Sequence, residues 1–169
     1  MKPYFKVIKL SLIFLSFTTM LLSCSSTKQT SSYKSDLSAA EIKNMIDSHG
    51  FVFVAESLNP LRGRFRTLTS RYEVAVSQDS LSADLPYFGR AYSLPIDPSQ
   101  GGIKLVTTKF SYDVTQPKSN KWNVTIKPQD GGDVQQLNFA IFDNGSASLS
   151  VSSNSKDPIS YNGHLQKRL

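Results

Sequence analysis

The side chains able to do chemistry fall in three short segments of this chain. One is a lone cysteine, Cys24. The second is the run Leu61-Arg62-Gly63-Arg64-Phe65-Arg66, and the third is Leu85-Pro86-Tyr87-Phe88-Gly89-Arg90-Ala91-Tyr92. If residues 61–66 are extended, Arg62, Arg64 and Arg66 project from one face. That makes an array of planar forks suited to phosphate or carboxylate. The competing reading is a solvated edge strand whose charges deter sheet-to-sheet aggregation. In the third segment, Pro86 cannot donate to a central ladder and Gly89 permits a bulge or close backbone approach. Tyr87, Phe88, Arg90 and Tyr92 around such a kink suit a ligand cleft, with rings supplying area and Arg90 a charge-assisted contact. The alternative is a core corner, with the rings buried and Arg90 capping carbonyls.

Other chemistry lacks its residues. The two histidines, His49 and His164, are not spaced as metal ligands. Asp130 and Asp133 flank two glycines and read as a turn rather than a calcium loop. No Gly-x-Ser-x-Gly elbow, P-loop or dinucleotide fingerprint occurs. The expectation is therefore a protein that is not an enzyme, with no catalytic residues, no metal and no cofactor. A Ser–His–Asp triad assembled in space stays open as a lesser alternative.

The N-terminus is the most informative stretch. Lys2, Lys6 and Lys9 precede an apolar run over residues 10–22, as long as a signal h-region and short of the ~20 residues a membrane span needs. The run closes with Leu21-Leu22-Ser23-Cys24, which resembles the lipobox of bacterial lipoproteins. Small Ser23 lets a peptidase reach the bond, and the Cys24 thiolate is the group able to take diacylglycerol. Residues 1–23 are thus expected to be a lipoprotein signal peptide, and acylated Cys24 to hold the protein to a lipid bilayer. Acyl chains at ~0.8 kcal/mol per buried methylene make that attachment stable. Acylation also removes the only thiol, so no disulfide is expected.

Residues 24–37 are polar and serine-rich and read as a flexible tether. The formal charge is +6, but the three signal lysines account for half of it. The remaining +3 is too mild to imply a polyanion, and no nucleic-acid partner is expected. Some Bacteroidetes-type lipoproteins carry an acidic cluster after the cysteine that sends them to the cell surface. Residues 25–28 have no acid, which favours the outer membrane, facing the periplasm.

Residues 38–169 must position the second and third segments, and they read as a single β-rich domain. Ser38-Ala39-Ala40-Glu41 has capping-box form, Ile42, Met45, Ile46 and His49 recur at helical spacing, and Gly50 suits a left-handed cap. One short amphipathic helix follows. After Gly50 the period becomes two. Residues 51–56 form an apolar run, and Tyr72, Val74 and Val76 share a face. One long strand is expected over residues 106–114, with Val106, Phe110, Tyr112 and Val114 inward. Further stripes are Trp122, Val124 and Ile126; then Leu137, Phe139 and Ile141; then Ala147, Leu149 and Val151. Asn144-Gly145 between two stripes marks a hairpin. The fold class expected is mainly β: an antiparallel sandwich or flattened barrel of seven to eight strands with one N-terminal helix.

LPYFGRAY over residues 85–92, Lys121-Trp122-Asn-Val124-Thr-Ile126, Gly145-x-Ala147-x-Leu149-x-Val151 and Ile159-Ser160-Tyr161-x-Gly163 together resemble a family of Bacteroidetes lipoproteins. That family is known only as a domain of unknown function (family 4251). The resemblance implies envelope residence and a β-rich fold and carries over no catalytic residue. Asp79-Ser80-Leu81 is similar to the acceptor for O-linked glycosylation of exported proteins in that phylum, with Ser80 as attachment point; a β-turn explains it equally. The function expected is a membrane-anchored envelope lipoprotein acting as a non-catalytic ligand-binding module. The alternative is a protein-interaction or scaffolding lipoprotein of the periplasm, and a hydrolase ranks behind both.

Overall fold

The structure, a computed structural model, describes residues 37–92 and 101–168. The expected signal peptide, Cys24 and all of the expected tether except Leu37 lie outside the described residues. Helix α1 spans Ala39–Asp47 and starts as its sequence dictates. The Glu41 backbone N–H donates to Ser38 Oγ at 3.3 Å, and the Ser38 N–H donates to Glu41 Oε2 at 2.8 Å. Ile42, Met45 and Ile46 form its buried stripe. The C-terminal cap falls one residue earlier than expected, because His49 and not Gly50 takes the left-handed conformation, at φ +54°. The Gly50 N–H reaches Met45 O at 2.8 Å and the His49 N–H reaches Ile46 O at 3.2 Å, which satisfies the last carbonyls. Histidine tolerates this backbone better than most residues. Its ring also lies on Tyr112, centroids 3.8 Å apart, while the Tyr112 hydroxyl donates to Ile46 O at 2.9 Å.

Among the described residues nine strands follow, one or two more than expected: β1 (Phe51–Pro60), β2 (Arg66–Val76), β3 (Leu81–Leu85), β4 (Ile103–Thr107), β5 (Phe110–Lys118), β6 (Lys121–Pro128), β7 (Val134–Phe142), β8 (Ser146–Ser153) and β9 (Ile159–Lys167). They form one sheet in the order β4-β3-β2-β1-β9-β8-β7-β6-β5, every neighbouring pair antiparallel. The outer strands β4 and β5 are consecutive in sequence and joined by residues 108–109 alone. Three Cα steps cover at most ~11 Å, so the two edges of the sheet must converge there. The result is a nearly closed, barrel-like sheet.

That convergence explains the one strand that differs from expectation. Residues 106–114 do not run as a single strand: the chain leaves the β3 edge after Thr107 and resumes on the β6 edge at Phe110. Thr107 Oγ1 accepts from the Lys109 N–H at 3.0 Å and fixes the break. The inward set changes parity there, from Ile103, Leu105 and Thr107 to the half-buried Phe110 and Tyr112. Val106, expected inward, is 83% exposed.

Elsewhere the alternating stripes meet inside, where the Phe139 ring meets the edges of Phe51 and Phe53 at 5.6 and 5.7 Å. The β7–β8 hairpin turns through residues 143–145 with Gly145 at φ +78°. Strand β1 carries a bulge between Ala55 and Ser57 against both β2 and β9. Gly163 of β9 lies against that bulge, and a Cβ there would come within 1.9 Å of Val54 O. Gly163→Ala is therefore expected to separate β1 from β9 and cost about 3 kcal/mol or more. Thermal denaturation checks this; a melting temperature equal to the parent's would refute it.

Candidate functional site

Strand direction alternates along the sheet, so the loops after β1, β3, β6 and β8 share one end, opposite the end where β1 follows α1. Backbone hydrogen bonds sew these loops together. The Leu61 N–H donates to Pro158 O at 3.3 Å, Tyr92 to Ser155 O at 2.7 Å, Asp157 to Arg90 O at 3.0 Å, and Asn154 to Asp133 O at 2.9 Å. Ala91 forms an isolated bridge with Lys156. The LPYFGRAY segment is thus clamped onto the β8–β9 loop.

Tyr87 is the clamp's centre. Its hydroxyl lies 2.7 Å from Arg90 O and 3.1 Å from Asp157 O, so it serves both segments. The ring folds over Gly89, where a Cβ would stand 2.4 Å from the phenol oxygen. Only glycine fits. Tyr161 donates to Pro86 O at 2.8 Å and holds the start of the same segment. Burial raises the Tyr87 phenol above its usual range, with Asp157 adding to the effect. Tyr92 donates to Asp157 Oδ1, and that bond is the main reason its own phenol is raised. Asp157 is only 7% exposed, and its Oδ2 has no hydrogen-bond partner.

The four candidate residues of this segment therefore separate. Tyr87 is half-buried and builds the corner. Phe88 and Tyr92 are exposed, and the Arg90 guanidinium stands over the Tyr92 ring at 5.6 Å. The arginine cluster separates as well. Residues 61–65 form the turn after Pro60, with Gly63 at φ +142°, and β2 begins only at Arg66. Without an extended backbone, Arg62, Arg64 and Arg66 do not form the single-face array that alternation would have given. Arg66 leans instead over the Phe88 ring, 4.5 Å from its centroid. Beneath that pair lies a cleft of about 380 Å³ lined by Arg66, Thr67, Leu68, Thr69, Tyr72 and Phe88. The contribution of Thr67 and Thr69 has no sequence signal, since they are ordinary outward strand positions until a neighbouring loop folds over them.

Ser80 closes the β2–β3 turn at the other end. Its Oγ is 2.6 Å from Ser77 Oγ, and the Ser77 N–H donates to Ser80 O at 2.8 Å. His164 is buried, with Nδ1 2.9 Å from Glu56 Oε1 and Nε2 3.0 Å from the Gln166 amide. Among the described residues no group of three His, Cys, Asp or Glu side chains is placed to hold a metal ion. Lys156 Nζ reaches Asp133 Oδ2 at 2.9 Å at the rim. Burial alone would raise the Asp133 carboxyl, but hydrogen bonds from Lys156 and Ser155 outweigh it and hold the group below its usual value.

The fold and rim define a small, mainly-β, barrel-like domain with a helix at one end and an arginine- and aromatic-bearing loop cluster at the other. The chain belongs to the family described as Domain of unknown function (DUF4251), whose model matches residues 33–165. Its fold is similar to the crystal structure of a DUF4251 family protein from Bacteroides eggerthii DSM 20697, with a TM-score of 0.56 at 16% identity, covering 76% of this chain and 87% of that one. No curated protein matches the chain.

Two outcomes follow from the clamp. Tyr87→Phe removes the donor to two carbonyls and is expected to cost about 1 kcal/mol, read as a lower denaturation midpoint. Asp133 has a lowered folded-state pKa, so its contribution is full above the unfolded value of about 3.9 and is lost as pH falls through the folded value. Asp133→Asn should accordingly be less stable than the parent near neutrality, with the gap closing in acid. A gap that stays constant with pH would contradict this.

Proposed function

We propose that this protein is a non-catalytic ligand-binding module held to an envelope membrane, on the periplasmic side of the outer membrane, by acylated Cys24. The observation that carries the binding role is the cleft of about 380 Å³ under the Arg66–Phe88 pair. Its lining includes a cation, Arg66, two aromatic residues, Phe88 and Tyr72, and two hydroxyl-bearing ones, Thr67 and Thr69. That combination suits a small ligand with an anionic group and an apolar or ring portion, the cation fixing one end and the rings covering the other. The anchoring role rests on the signal-like N-terminus and its Leu21-Leu22-Ser23-Cys24 ending. No helix among the described residues is long and apolar enough to cross a membrane.

A second reading, docking of a protein partner by strand addition, is favoured by the outer strands. There β4 and β5 end the sheet order, each with a ladder on one side alone among the described residues.

Two measurements test the proposal. Cys24→Ser should abolish acylation and release the protein from the membrane fraction; membrane partition and an acylated N-terminal peptide surviving the change would sink the anchor. Arg66→Ala and Phe88→Ala should each weaken capture of envelope lipids or glycans about tenfold, by roughly 1.4 kcal/mol, at an unchanged melting temperature. Lipid and glycan mass spectrometry of the purified protein reads this, and undiminished capture by both variants would end the cleft reading.

A further inference from the structure

Four of the large apolar side chains exposed among the described residues, Leu61, Phe65, Phe88 and Tyr92, gather at the loop rim. The same loops carry Arg62, Arg64 and Arg90, and Arg66 follows at the start of β2. We propose that this rim, led by the turn at residues 61–65, docks on the surface of an anionic lipid bilayer. The inference rests on the envelope reading above, since it needs a membrane within reach, but not on the cleft.

The turn alternates apolar and cationic groups: Leu61 is 65% exposed and Phe65 60%, and Arg62 and Arg64 stand between them. In water, two large apolar side chains at the tip of a loop gain nothing. At a membrane interface they enter the headgroup–acyl boundary, while arginine stems run along the apolar layer and leave the guanidinium among phosphates. Phe88 and Tyr92 flank the turn as the exposed rings that such interfaces favour.

Charge decides which bilayer. Among the described residues, none of the four guanidinium groups is in an ion pair. Among the described residues of the rim loops the acids are three: Asp157 is buried, Asp133 is held by Lys156, and Asp130 is exposed. Among the described residues the rim thus sets four arginines and Lys156 against Asp130, Asp133 and Asp157, a formal net charge of +2, with Arg62 and Arg64 at the apolar tip itself. An anionic surface attracts such a cluster, and a zwitterionic one does not.

Geometry permits both attachments at once. The rim lies at the far end of β1 from α1, and ten residues of β1 span roughly 33 Å. Residues 24–37, fully extended, reach about 45–50 Å, enough for a lipid on Cys24 and the rim to meet one bilayer face.

The test places a reporter at the tip. The full acylated chain carrying Phe65→Trp is reconstituted in phosphatidylcholine vesicles with and without phosphatidylglycerol. The native Trp122 is buried and gives a constant background. The introduced indole should shift to the blue and be quenched by brominated acyl chains only on the anionic vesicles, and salt should reverse both effects. Adding Arg62→Ala and Arg64→Ala should lower the docked-to-undocked ratio on the order of tenfold. Solvent-like emission on both vesicle types, with the chain anchored, would overturn the inference and leave the anchor standing. A chain that ignores phosphatidylcholine yet inserts its tip into anionic vesicles would support the rim and sink the anchor. Insertion that persists without Arg62 and Arg64 would also overturn it.

Discussion

The pairing of β1 with β9 carries the architecture. It runs from Phe51 opposite Lys167 to Pro60 opposite Ile159, broken only by the bulge at Glu56, and among the described residues it is the only ladder between strands far apart in sequence. On one side hangs the β1–β4 meander, on the other the β5–β9 meander. The halves are further linked by the two-residue step from β4 to β5, by the loop hydrogen bonds of residues 61 and 86–92 to residues 155–161, and by the packing inside. The ladder is tight because Gly163 lets the bulged segment of β1 approach until its carbonyl fills the space a side chain would take. Closing the ends of the chain on each other is entropically costly, and burial of both strands' inward faces must offset it.

The clustering of loops at one end is a consequence of that pairing. With Pro60 opposite Ile159, the β1–β2 and β8–β9 loops leave the sheet side by side, and Leu61 bonds directly to Pro158. The LPYFGRAY segment then crosses both, pinned by the Tyr87 hydroxyl at one point and by the Tyr92–Asp157 bond at another. The phenols spend their polar ends on backbone and carboxylate inside the rim. The neighbouring Phe88 ring and the arginines are left to face outward. Adjacent residues of one short peptide thus face in opposite directions, and Gly89 makes this possible by giving the Tyr87 ring room to fold back.

Much of the framework was legible in the residue pattern. The capping box of α1, the inward stripes of β6, β7 and β8 and the Asn144-Gly145 hairpin depend on neighbours within a few positions, where period and turn chemistry speak directly. The helix cap was misplaced by one residue because stacking on Tyr112, a contact across the chain, favours His49 in the left-handed position. The long strand through Val106 was misread for a similar reason. Its alternation is locally sound, but the step from one sheet edge to the other breaks it at residues 108–109.

The amino-acid order alone determined the β class, the helix with its cap, most of the inward stripes and the segments rich in arginine and aromatic rings, because each is written in short-range periodicity and residue type. Only the tertiary structure decided that the sheet has nine strands among the described residues and nearly closes on itself, that Arg62 and Arg64 sit on a turn while Arg66 lies over Phe88, and that the Tyr87 hydroxyl fastens two loops together. Those facts come from contacts between residues up to about a hundred positions apart, whose cost is loop closure and whose gain is burial. No local pattern encodes either quantity.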